Sequence, residues 1–284
     1  MHIQPRSFRP FATPVAVVLG TGDIASAIAR AVFLAGWGVV MLRDPSVPVL
    51  RRGMALDGAL EDGVAELDGV FAVPAPGHAA LPTLASSREA VVLSPLSLAM
   101  LGGTCPGMAS LLIDARMRKY ATPADLRLHA GCAIGVGPGF VAGENVDVAI
   151  ETLPGHEGGL VTRGATASPT GRAVPLGGAG KERFVHANEA GAWTPLVVPG
   201  AWVMAGQVLG RLGLHDLTAP IDGRVRGLVR GVPGGIAPGC KLAELDPRHD
   251  APCQGVPPRA QAIADGVLTA LETLLPARLS LMAE

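Results

Sequence analysis

A chain of 284 residues that is 49% hydrophobic and 17% charged can bury a large core and is not disordered. Its 23 Lys and Arg balance 24 Asp and Glu at a net charge of −1, which argues against a broad basic footprint for nucleic acid or anionic lipid. Aromatic residues are only 4%, too few for single-strand stacking platforms, and 38 glycines with 25 prolines call for frequent turns.

Residues 1–13 read as a flexible tail, Pro-rich with Arg6 and Arg9 and without the apolar region of a secretory signal. The cysteines, Cys105, Cys132, Cys240 and Cys253, form no CxxC pair, so neither a zinc ribbon nor a thioredoxin motif is expected, and no metal site stands out. Both features suit a reduced, cytoplasmic protein.

Val15 to Leu19 is a short apolar strand run, and Ile24, Ala27, Ile28, Ala31, Leu34 and Ala35 follow at helical spacing. Gly36 is a stop, and Val39 to Leu42 is the next buried strand. Ile24 to Leu42 is 19 residues with Arg30 as its single charge, long enough for a membrane span. Gly36 and Gly38 interrupt it, and a helix followed by a strand explains the same residues, so no membrane segment is expected. Strand, Gly-rich turn, helix and strand make a βαβ unit and imply a parallel sheet. Further strand runs at 69–73, 90–93, 110–113, 133–136 and 146–150 extend a Rossmann-like α/β domain over residues 14–155.

Residues 156–183 form a Gly-rich connection. An internal repeat follows. Ala187-Asn-Glu-Ala-Gly191 resembles Ala219-Pro-Ile-Asp-Gly223 at an offset of 32, and Gly206-Gln-Val-Leu209 matches Gly239-Cys-Lys-Leu242 at 33. Leu212 and Leu245 correspond on the same count. Two interlocking copies predict a β-rich barrel-sandwich hybrid of lipoyl or biotinyl type over residues 184–250. The connector Arg211 to Thr218 holds no lysine, so no covalent cofactor is expected. Residues 251–284 supply a C-terminal helix, with Ala260, Ile263, Ala264, Val267, Leu268, Leu271 and Leu275 as the face that docks on the α/β domain.

Candidate site residues cluster after the strands. Gly20-Thr21-Gly22-Asp23 with Ala25 follows a strand and opens a helix, the setting in which glycines let backbone approach a phosphate. Asp44 stands near where a ribose-binding acid belongs. Asp23 in the first helical turn counts against a phosphate, and a plain tight turn is the alternative. Arg51 and Arg52 are either a phosphate or carboxylate clamp or a solvated pair. Asp114 and Arg116 follow a buried strand, where Asp114 orients Arg116, takes a ribose hydroxyl or is one half of a structural ion pair. Gly135-Val-Gly137-Pro138-Gly139-Phe140 is Gly-dense enough to admit a ligand to the backbone, or to make a reversal. Glu151 and His156 are the one candidate pair for proton transfer. No nucleophile elbow, HExxH or kinase set is present, and spacing alone fixes no reaction, so whether the chain is an enzyme stays open.

Many of these pieces, with Val39-Val-Met41, Gly143, Ile150-Glu-Thr152, Gly155-His156, Thr170-Gly171, Gly177-Gly178, Glu182-Arg183, Asp246-Pro-Arg248, Cys253 and Gly266-Val-Leu268, run in an order that resembles the YqeB family. These are the selenium-dependent molybdenum hydroxylase system proteins, grouped loosely with xanthine dehydrogenase maturation factors. The resemblance implies an accessory protein for maturing or inserting the molybdopterin cofactor of a molybdenum hydroxylase. It would bind a nucleotide-bearing cofactor, a molybdopterin nucleotide, in the α/β half, facing the glycine loops at 20–22 and 135–139. Its partners would be the client hydroxylase or other maturation factors, with a homodimer also compatible. The alternatives are an NAD(P)-dependent oxidoreductase using Glu151 and His156, and a non-catalytic scaffold with an empty Rossmann-like site.

Overall fold

The computed structural model describes residues 14–77, 81–100, 110–231 and 235–281; the tail at 1–13 and Cys105 lie outside them. The apolar run after the tail forms β1 (Val15–Leu19), followed by α1 (Asp23–Leu34) and β2 (Gly38–Leu42). The 19-residue run that matched a membrane span in length is thus divided between α1 and β2. Among the described residues no helix is long and apolar enough to cross a membrane.

The chain continues through α2 (Ala59–Asp62), β3 (Ala65–Leu67), β4 (Val70–Pro74), α3 (Leu81–Ser87), β5 (Val91–Ser94) and β6 (Leu111–Asp114). Then come β7 (Cys132–Val136), β8 (Val141–Ala142), β9 (Val148–Ile150), β10 (Leu160–Val161) and β11 (Gly164–Ala165). Nine of these strands form one sheet in the order β10-β9-β7-β6-β1-β2-β5-β4-β3. Neighbours from β9 to β4 are parallel, and β10 and β3 close the two edges antiparallel. The sheet therefore runs past residue 155, where the change in composition falls.

Strand alternation sends successive side chains to opposite faces, and both faces are covered. Ala16, Val18, Val39, Met41, Leu111 and Ile113 lie in one core with α1. Val15, Val17, Leu19, Val40 and Leu112 lie in a second core with Leu81 and Ala85 of α3. The C-terminal helix α4 (Pro258–Leu281) buries Ala260, Ile263, Ala264, Val267, Ala270 and Leu271 in the first core, beside α1. It comes so near the loop after β9 that a Cβ on Gly266 would fall 2.2 Å from the Gly158 carbonyl oxygen.

The second half forms β12 (Phe184–His186), β13 (Trp193–Pro195), β14 (Trp202–Val203), β15 (Val208–Leu212), β16 (His215–Thr218), β17 (Gly223–Leu228) and β18 (Lys241–Asp246). These make two antiparallel sheets, β12-β18-β17-β14 and β13-β15-β16, around one core of Trp193, Leu209, Leu212, Val225, Leu242 and Leu245. The sequence repeat has a direct structural counterpart. Trp193 pairs with Leu212 across β13 and β15, and Val225 pairs with Leu245 across β17 and β18. β14, from the first copy, pairs with β17 of the second, so the copies interlock.

Candidate functional site

From β1 the chain crosses to β2 on one side, whereas β6 lies on the other side of β1. Loops leaving the C-terminal ends of β1 and β6 therefore part, which is where open α/β sheets place ligands. A cleft of about 260 Å³ lies there, lined by residues 20–25, Asp44, the 47–51 loop, 115–117, Lys119, Lys241 and Arg259.

Its floor is the turn from β1 into α1. Gly20 has φ +102°, and a Cβ there would sit 3.1 Å from the Ala115 carbonyl oxygen. That combination of dihedral and contact requires glycine. Gly22 is the N-cap of α1 with φ −71°, and no side chain caps the helix. A Cβ on Gly22 would meet nothing within 4 Å, so the first-turn N–H groups are approachable from the cleft. Below, Thr21 Oγ1 donates to Asp57, and Asp57 also accepts from Arg43 Nε at 2.8 Å and Nη2 at 2.6 Å. Ser26 Oγ donates to the Thr21 carbonyl oxygen at 3.2 Å and accepts the Leu56 N–H at 2.9 Å.

Asp23 does stand in the first turn, but its charge is matched. Arg51 Nη1 donates to it at 2.7 Å. The same guanidinium reaches Glu244 of β18, from Nε at 2.6 Å and Nη2 at 3.1 Å. Glu244 is fully buried and also accepts from Arg183 at 3.4 Å and Arg226 at 3.2 Å. Burial pushes its carboxyl up, but the hydrogen bonds and charge of Arg51, with Arg226 and Arg183, outweigh that and hold it below the ordinary carboxylate range. Arg226 moves oppositely to the usual ion-paired case. Burial and then repulsion from Arg51 lower it despite Glu244. One carboxylate shared by three guanidinium groups satisfies Arg51, the nearest, more fully than Arg226.

The walls hold the other expected residues. Asp114 is buried and accepts both Nε, at 2.9 Å, and Nη2 of Arg116, which raises the Arg116 guanidinium and orients it on the cleft. Asp44 lines the cleft, yet its oxygens already accept from the Ser46 N–H at 3.0 Å, Ser46 Oγ at 2.7 Å and Arg118 Nε at 2.6 Å.

Three sets of expected residues are placed elsewhere. Arg52 does not line the cleft; burial and then the charge of Arg230 lower it, and its Nε is buried with no hydrogen-bond partner among the described residues. The turn Gly135, Gly137, Pro138, Gly139 and Phe140 packs on itself: a Cβ on Gly135 would fall 2.1 Å from Phe140 Cγ. Gly137 backs on the Met117 side chain, so this turn supports the wall and does not face the cleft. Glu151 and His156 line a separate shallow depression of about 490 Å³ at the β10 end of the sheet. The Glu151 carboxylate accepts the N–H groups of Thr152 at 2.6 Å, Leu153 at 2.7 Å and Ala167 at 2.7 Å, which organises loops.

Three cations of the cleft were not singled out by sequence. Lys119 is an exposed side chain in the loop after β6, and partial desolvation, then Arg259 and Arg51, lower its ammonium. Lys241 opens β18; burial and then Lys119 lower it, Glu244 opposes this, and Arg51 and Arg183 add to the lowering. Arg259 is an arginine in the first turn of α4, where a cation opposes the helix dipole, a signal readable in sequence once Pro258 is recognised as a helix start.

No protein-family model matches the chain. The uncharacterized protein YqeB of Escherichia coli strain K12 is 33% identical over 278 residues, which are 94% of this chain and 49% of that protein. The chain thus spans about half the length of the curated relative it matches. Among solved structures, a succinylglutamate desuccinylase/aspartoacylase from Rhodobacter sphaeroides is 16% identical with a TM-score of 0.24, covering 82% of this chain and 85% of that one. An aspartoacylase family protein from Mesorhizobium loti is 11% identical with a TM-score of 0.26, covering 83% and 86%. Likeness at that level carries no argument.

Proposed function

We propose, for a chain homologous to YqeB over nearly all of its length, that the cleft between β1 and β6 binds the phosphate end of a nucleotide-bearing cofactor. The observation that carries this reading is an uncapped helix N-terminus beneath Gly22, at the reversal of strand order, with Arg116, Lys119, Lys241 and Arg259 around it. Helix N–H groups and the dipole favour an anion there, and Arg51 offsets the carboxylate in the first helical turn, Asp23. The α/β half is then a Rossmann-like binding domain. The interlocked β repeat, read as a barrel-sandwich without a carrier lysine, is the part that docks on a client protein.

The YqeB resemblance supports a role in maturing or inserting the molybdopterin cofactor of a molybdenum hydroxylase. The cleft residues suit the phosphate of a molybdopterin nucleotide, with the α1 turn and Arg116 as the groups to hold it. Such a nucleotide would supply redox chemistry in the client enzyme, and this chain would bind and orient it. An oxidoreductase using Glu151 and His156 finds no support, because neither residue lines the cleft and Glu151 is engaged by three backbone N–H groups.

The test is a thermal-shift and calorimetric panel of CDP, CTP, ADP, NAD(H), NADP(H) and a molybdopterin nucleotide, on wild type and Gly22→Val. A ligand at 100 times its Kd adds about 2.7 kcal/mol of stability. The expected result is stabilisation by a phosphate-bearing nucleotide that Gly22→Val loses while still folding, since the side chain enters open space. Absence of binding by every phosphate ligand, or equal binding by Gly22→Val, overturns the reading.

A further inference from the structure

Cations reach this cleft from four separate stretches of chain: Arg51 after β2, Lys119 after β6, Lys241 at the start of β18 and Arg259 at the start of α4. Two of them are engaged. Arg51 is shared by Asp23 and Glu244, and Arg259 donates to the Thr152 carbonyl oxygen at 2.8 Å and lies 3.7 Å from Glu157. Lys119 and Lys241 make no ion pair among the described residues, and Lys241 Nζ rests 3.8 Å from the Phe184 ring centroid. The two ammonium groups repel each other, and each also feels Arg51. Both lysines are exposed side chains at the rim of the cleft, and like charges gathered on a cleft without direct ion pairs suit an anionic ligand.

We infer that the cleft takes a polyanion, a run of at least two linked phosphates as in a nucleoside diphosphate, with Lys119 and Lys241 as the residues that hold the phosphate beyond the one at α1. This rests on the phosphate reading proposed above and narrows it. Lys241 belongs to the β-rich half, whereas α1 and Lys119 belong to the sheet domain, so the ligand bridges the two. Sequence alone does not show this, because the lysines are 122 residues apart.

Orthophosphate, pyrophosphate, CDP and ADP are titrated calorimetrically into wild type, Lys119→Met and Lys241→Met, and the melting temperature without ligand is measured. A charge-assisted contact is worth about tenfold in affinity or more, so pyrophosphate should bind about tenfold tighter than orthophosphate. Each variant should lose about tenfold for pyrophosphate and less than about twofold for orthophosphate. Lys119→Met should not melt below wild type, because it relieves repulsion from Arg259 and Arg51; a structural role requires the reverse. Tight CDP or ADP binding with weak pyrophosphate binding but the same lysine dependence identifies the source as a nucleotide and supports the inference. Equal binding of orthophosphate and pyrophosphate with no lysine-dependent binding of CDP or ADP, or variants that melt lower with affinity unchanged, overturns it and leaves the phosphate reading standing. If no phosphate compound binds at all, the phosphate reading itself falls.

Discussion

Replacing Glu244 by Gln keeps the side-chain shape and removes one buried charge at the junction of the two halves. In the native protein Glu244 accepts four hydrogen bonds from three arginines, at 2.6, 3.1, 3.2 and 3.4 Å. The variant keeps one acceptor oxygen but leaves Asp23 as the carboxylate on Arg51, and Asp246 at 4.0 Å as the carboxylate on Arg226. The Nε atoms of Arg183 and Arg226 are already buried with no hydrogen-bond partner among the described residues, so further loss falls on guanidinium groups that are incompletely satisfied. Removing one member of a buried ion pair costs about 3–5 kcal/mol, a large part of the ~5–15 kcal/mol typical of a folded protein. Urea unfolding followed by circular dichroism at pH 7 measures it. Because the folded carboxyl is held below its ordinary value of 4.5, its contribution is complete above that pH and is lost as pH falls through the depressed folded value. The stability difference between wild type and Glu244→Gln should therefore be full at neutral pH and narrow in acid below pH 4.5. A loss under about 1 kcal/mol at pH 7, or a difference that does not change with acid, would refute the account of Glu244 as the shared counterion.

Asp57→Ala removes the partner of Thr21 Oγ1 and leaves the Arg43 guanidinium with Glu61, and should cost about 2–3 kcal/mol in urea unfolding while weakening nucleotide binding, since Asp57 anchors the α1 turn. Gly38→Ala places a Cβ 2.2 Å from the Ala85 carbonyl oxygen, in backbone that has no room to shift; it should destabilise by about 3 kcal/mol or more, seen as a lower melting temperature. Trp193→Phe removes the indole N–H donated to the Val229 carbonyl oxygen at 2.9 Å and should cost about 1–3 kcal/mol, a loss confined to the β-rich half if hydrogen exchange is followed by region.

Local pattern alone determines much of this protein. Apolar runs bounded by glycine specify β1, β2 and β5 to β7, and the helical spacing of Ile24 to Leu34 specifies α1. The repeat offset of 32 to 33 makes Leu212 and Leu245 equivalent in sequence, and the structure gives them equivalent partners, Trp193 and Val225. The ion pair of Asp114 with Arg116 is equally local, and the same Asp-x-Arg spacing makes matching pairs at Asp125 with Arg127 and Asp246 with Arg248. The short edge strands β3 and β10 are not legible, because two or three residues carry no period and their pairing depends on a neighbour already in place. The functional residues divide in the same way. Gly20 and Gly22 belong to the cleft by local turn chemistry, since dihedrals and the adjoining helix define them. The roles of Arg51, Lys119, Lys241 and Arg259 are set only by tertiary structure. Charge acts through space, and only the packing of β18 and α4 against the sheet determines which cations find carboxylates and which face the cleft unpaired.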